Sequence, residues 1–277
     1  MTYGKFAPDK RLSEHDLRQE IVRIGRLMWE RGYVASTDGN ISARLDSDRV
    51  LVTASGLSKG FLSTDDLVVL RLNGEPVASY RGRGRRPSSE IMLHLEVYRQ
   101  RADVNAVVHA HPPLATAFSI AGVSLARCVI PEVIVSLGGI PTAEYATPGT
   151  TEVSESIRQA VLDHDAIILA HHGSLTVGRS LWEAYLLLER VEHTARITLT
   201  AQQLGQVQML SPDAVAKLAE KRRELLQGQG RELCDDCTIC SIDDNYAITP
   251  NTPDETALVW QITQSVVQNL KGESEKQ

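Results

Sequence analysis

The chain has 277 residues, a net charge of -6, 42% hydrophobic and 23% charged residues. That composition suits a soluble globular protein able to bury a core without staples. The acidic balance argues against nucleic acid as the main partner, no apolar run reaches the ~20 residues of a membrane span, and residues 1–17 lack the apolar core of a secretory signal; cytoplasmic residence, with no membrane partner, is the expectation.

Ser13 and Asp16 bracket a helix start, and Leu17, Ile21, Ile24 and Met28 follow at helical spacing, which predicts an amphipathic helix over 14–32 with Gly32 as its stop. Short strands are expected over 40–44, 50–53 and 67–71. Residues 81–86 read as a loop, and Pro87 precedes a helix from Ser88 to about Arg101. Residues 105–110 form a strand candidate with His109 and His111 at its end, followed by a helix over 113–121. Thr150 or Thr151 caps a helix to about Leu162, and Ala166 to Leu169 read as a buried strand. Ser180 and Glu183 form a capping box that opens a long helix to about Leu204, and a further helix covers 212–226. Interspersed strands and helices indicate a layered α/β domain over residues 1–227.

Beyond it the composition shifts. Residues 228–252 are polar, acidic and rich in turn formers, as in a linker. Cys234, Cys237 and Cys240 fall there, one thiol short of the usual four-ligand site, and are expected to stay reduced and solvated. Cys128 stands alone, and no disulfide framework is expected in a cytosolic chain of this size. Thr252 to Glu255 is another capping box, opening an amphipathic helix over 253–277 with Val259, Ile262, Val266 and Leu270 along one stripe.

The strongest chemical signal is His109-Ala110-His111. Side chains alternate along a strand, so both imidazoles share one sheet face, an arrangement that zinc accepts. A third ligand must come from elsewhere, and His171-His172-Gly173 follows a second apolar strand. Three protein ligands leave a position for substrate, where the ion polarises a carbonyl and stabilises the charge left when a carbon–carbon bond breaks. A proton carrier and an anion site must accompany such a centre.

Three more segments complete a pattern: Thr37 to Ser42 (TDGNIS), Thr53 to Gly56 (TASG) and Pro87 to Glu90 (PSSE). With HAHPP and HHG in this order, over about residues 14–225, the chain resembles the class II aldolase/adducin family. The resemblance implies a three-layer α/β/α fold around a mainly antiparallel sheet, followed by a C-terminal extension, and a homotetramer. It selects His172 as the third ligand after His109 and His111, with Zn2+ or another first-row divalent ion bound. It assigns Asn40, Ser55, Gly56, Ser88 and Ser89 to the substrate phosphate and Glu90 to proton transfer. The implied reaction is cleavage of a ketose 1-phosphate, L-fuculose 1-phosphate or an analogue, to dihydroxyacetone phosphate and lactaldehyde. Glu132 stands where a catalytic tyrosine is expected, which leaves the second proton donor open and makes a rhamnulose or 5-deoxyketose phosphate an alternative substrate.

His94 and His193 read as packed helix histidines, and His15 and His164 as surface positions. L-ribulose-5-phosphate 4-epimerase and methylthioribulose-1-phosphate dehydratase chemistry are rivals on the same fold. The different-class rival is a non-catalytic adducin-like module, which lacks the metal histidines. The C-terminal helix resembles the encapsulation peptides of bacterial microcompartment enzymes; docking on a shell protein is one expectation, docking on its own tetramer the other.

Overall fold

The computed structural model describes residues 12–77 and 84–226. The expected linker, the C-terminal helix and Cys234, Cys237 and Cys240 lie outside the described residues. Seven strands form one sheet: β1 Asn40–Arg44, β2 Arg49–Thr53, β3 Leu67–Arg71, β4 Ala106–Ala110, β5 Thr142–Ala143, β6 Ala166–Leu169 and β7 Gly173–Gly178. Their order is β3-β2-β1-β4-β7-β6-β5. Every pairing is antiparallel except that of β5 with β6.

Helices cover both faces. On one lie α2 (Ile91–Gln100) and α5 (Thr151–Asp163), whose Leu93, Leu95, Val97, Ile157 and Val161 pack on Val52, Leu70, Val107 and Leu175 of the sheet. On the other lie α1 (Glu14–Glu30) and α6 (Leu181–Leu204). Val107 faces the first layer while Ala106 and Val108 face the second, the alternation that a pleated strand imposes. These are the three layers expected. Shorter helices α3 (Pro113–Ile120) and α4 (Pro131–Ser136) share a third cluster with α6, and α7 (Pro212–Leu225) packs on α4. No helix among the described residues is long and apolar enough to cross a membrane.

Local chemistry explains most element ends. Ser13 Oγ accepts from Asp16 N while the Asp16 carboxylate accepts from Ser13 N, so α1 starts on a complete capping box. Ile21, Ile24 and Met28 are buried from it without exposed surface, each contributing about 1.5–3 kcal/mol. Ser180 Oγ likewise caps α6, but Glu183 turns to Arg179 N instead of completing the box.

Several expectations are corrected. α2 starts at Ile91, not Ser88, because Ser88 N bonds Thr53 O and Pro87 bridges Ala54, which holds the preceding segment extended. β5, α4 and β7 were not anticipated. His193 is exposed rather than packed, and His164 is half-buried. Cys128 is buried and disulfide-bonded, not a lone thiol.

Candidate functional site

β4 sits at the centre of the sheet, and its last residues set the site. His109, paired with Asn40 of β1 on one side and Leu175 of β7 on the other, has no exposed surface. Its Nδ1 lies 2.9 Å from Ser174 O. A carbonyl can only accept, so Nδ1 carries the proton and Nε2 presents its lone pair. Burial pushes the His109 imidazole far below the ordinary histidine value and keeps it neutral.

His111 lies just past the strand, its backbone N–H bonded to Tyr33 O and its Nδ1 3.6 Å from Asp38 Oδ2. Burial, then the nearby His172, lower its proton affinity as well. His172 belongs to the three-residue turn joining β6 to β7. Gly173 makes that turn possible: a Cβ there would overlap the Ala110 carbonyl oxygen and stand 2.7 Å from His111 Cδ2. His171, its neighbour in the turn, points outward, exposed, with φ 57°.

The three side chains converge. Ligand nitrogens of His109, His111 and His172 all lie within 4.8 Å of one another, and His109 Nε2 is 3.1 Å from His111 Nε2. Tetrahedral ligands at about 2.0–2.1 Å from zinc stand about 3.3 Å apart; the His109–His111 pair already has that spacing, and the third imidazole lies close enough for the set to hold a divalent ion. The carbonyl partner on His109 is the fixed second contact that metal-binding histidines use. Zinc and other first-row divalent ions share this preference for imidazole.

Glu90 closes the cluster from the N-terminus of α2. Its Oε1 is 3.0 Å from His172 Nε2, its Oε2 3.4 Å from His109 Nε2, and Asn40 Nδ2 donates to Oε2 at 2.9 Å. Burial raises its proton affinity, but the contacts with His172, His109 and Asn40 outweigh that, and the carboxyl is held well below the usual carboxylate range.

Above these groups opens a pocket of about 410 Å³ lined by Asn40, Ser55, Gly56, Ser88, Ser89 and Glu90, with His111 and His172. Two backbone bonds, Ser55 N to Arg86 O and Ser88 N to Thr53 O, lay the two serine-bearing turns side by side. Gly39 sits beneath the rim with φ 72°, where a Cβ would stand 2.8 Å from His109 O. The pocket walls thus carry hydroxyls, an amide and backbone N–H groups, donors suited to an oxyanion.

Every residue expected in the site is in the pocket or directly beneath it. Glu132 is exposed in the first turn of α4 and is not a pocket-lining residue. His94 is fully buried, its Nδ1 2.7 Å from Ser42 Oγ. Two charged residues of the pocket lining, Asp38 and Lys59, were not anticipated. Asp38 belongs to the TDGNIS segment, and the antiparallel pairing of Asn40 with His109, two residues along each strand, brings it beside His111. Lys59 is 2% exposed, and nothing in its sequence context marks it as buried.

Residues 19–199 match the model of the family described as Class II Aldolase and Adducin N-terminal domain. An L-fuculose phosphate aldolase of Methanococcus maripaludis is 35% identical, over 64% of this chain and 93% of its own length. A 3-oxo-tetronate 4-phosphate decarboxylase of Haemophilus influenzae is 33% identical, over 75% of this chain and 98% of its own. The solved structure of an L-fuculose 1-phosphate aldolase superposes with a TM-score of 0.68 at 31% identity, covering 74% of this chain and 95% of that one.

Proposed function

The chain belongs to the class II aldolase and adducin family, and from that premise we propose that it is a metal-dependent lyase cleaving L-fuculose 1-phosphate, or a close ketose 1-phosphate analogue, to dihydroxyacetone phosphate and lactaldehyde. The observation that supports this most is a carboxylate within 3.4 Å of two converging imidazoles, under a pocket of neutral oxyanion donors.

In this proposal His109, His111 and His172 hold the ion, zinc being the first choice. The bound ion supplies a Lewis acid for the substrate carbonyl and for the charge that bond cleavage leaves. Asn40, Ser55, Gly56, Ser88 and Ser89 hold the phosphate and fix the sugar over Glu90. Glu90 moves the proton on the three-carbon side. When protonated it gives that proton to the carbon from which the aldehyde departs; in the condensation direction its carboxylate removes it. The proposal extends to a homotetramer, to a core domain over 1–227, and to residues 253–277 as a segment that docks either on a microcompartment shell protein or on the tetramer itself.

A second reading has its own support in the decarboxylase relative, which the chain covers almost end to end. Both reactions break a carbon–carbon bond beside a carbonyl, so the same residues would serve either. Purified enzyme should be assayed against L-fuculose, L-rhamnulose and 5-deoxyribulose 1-phosphates for dihydroxyacetone phosphate, and against 3-oxo-tetronate 4-phosphate for carbon dioxide. Triose phosphate release supports the aldolase; carbon dioxide alone overturns it, and conversion to another five-carbon phosphate points to epimerase or dehydratase chemistry.

A further inference from the structure

We propose that Lys59 is the cation of the substrate phosphate site, resting on the phosphate pocket proposed above, and that it selects a dianionic phosphate over an uncharged sugar terminus. Lys59 lines the same pocket as Asn40, Ser55, Gly56, Ser88 and Ser89 yet is 2% exposed. Its Nζ donates to Thr37 O at 2.8 Å and to Leu57 O at 2.5 Å. An ammonium has three N–H donors, so one remains beyond these two carbonyls. Both partners are neutral, and Lys59 has no ion pair among those found between described residues. The carboxylates of Asp38 and Glu90, which line the same pocket, favour its charged form without forming an ion pair with it. Burial dominates and pulls its pKa down to about 8.

The fold secures this position. The short turn Lys59–Phe61 packs on α1, where a Cβ on Gly25 would stand 2.8 Å from Lys59 O. Gly60 lies against the Trp29 ring, with no room for a side chain. A buried charge without a counterion is costly, and the other donors of the pocket are neutral. A phosphate dianion seated on those donors supplies the missing counter-charge, with lysine acting as a point charge. The two carbonyl bonds also tie the Thr37 turn to the Leu57 turn, so the cation is held in place before substrate arrives.

The test is calorimetric titration of inorganic phosphate into the metal-loaded full-length protein. Wild type should bind saturably, and Ser89→Ala should weaken binding, which places the anion on the proposed donors. Lys59→Met, which keeps the stem and removes the charge, should weaken phosphate binding at least about tenfold, the loss of one charge-assisted contact. Lys59→Gln keeps N–H donors for the carbonyls and should weaken it similarly; it carries the test if the Met variant does not fold. Wild-type affinity in Lys59→Gln would overturn the role of the charge and leave Lys59 as a loop tie. Absence of phosphate binding by wild type, or an unaffected Ser89→Ala, would sink the phosphate pocket itself and this proposal with it.

Discussion

The side-chain amide of Asn40 donates to Glu90 Oε2 at 2.9 Å, joining the first residue of β1 to the N-terminus of α2. An amide nitrogen has two N–H groups, so Asn40 can hold the carboxylate with one and face the pocket with the other. Asn40→Ala should therefore lower kcat and raise KM together. A hydrogen bond to a charged group contributes about 1.5–3 kcal/mol, so a combined loss of about 10- to 100-fold in kcat/KM is expected from steady-state kinetics. A change in KM alone would confine Asn40 to binding.

Glu90→Gln keeps the size and loses the ionisable group. General acid–base catalysis contributes about 10²- to 10⁴-fold, and kcat should fall by that range while elemental analysis finds the ion retained. Loss of the ion with full activity after its restoration would make Glu90 a ligand rather than the proton carrier.

His171 and His172 are adjacent, yet only His172 meets the cluster. His172→Ala should lose the ion and its stabilisation, read as a drop in melting temperature that added metal no longer reverses. His171→Gly should keep the ion and melt slightly higher, since a left-handed residue other than glycine costs on the order of 1 kcal/mol. Loss of the ion in both variants would mean that the turn, not one side chain, binds it.

Burial holds His94 neutral, with its pKa pushed down to about 4. The unfolded chain protonates a histidine near 6.5, so between these values the unfolded state binds more protons. Stability is then complete above about pH 6.5 and falls as pH drops toward 4, by on the order of 3 kcal/mol from this group. Denaturant titrations of wild type and His94→Gln at pH 7.5 and 5 should show a smaller acid loss in the variant; equal losses would assign the acid sensitivity elsewhere.

The helices with complete caps and the apolar strands could be read from local sequence, because their signals are local. Strand β7 could not. GSLTVG begins and ends with glycine and buries Ser174 and Thr176, the latter satisfied by a bond from Oγ1 to Ala184 O on α6. The β-branched run of α4 reads as strand, and its helix is held by packing on α7 and by Arg222 donating to Val135 O. The converging histidines were readable because two strand ends carry them. Their meeting point depends on β4 pairing with β7, which no local pattern states. Lys59 was missed because lysine belongs to the surface by default; only the tertiary fit around Gly25 and Trp29 buries it.

The pairing of β4 with β7 also orders events during synthesis. His109 and His111 leave the ribosome roughly 60 residues before His172, a delay of several seconds at ordinary translation rates. Until the hairpin carrying His172 docks beside β4, the nascent chain offers an ion two imidazoles, a weak and exchangeable perch. In the proposed site, tight capture would therefore wait for the sheet's central seam to close, and retention of the ion would report that closure.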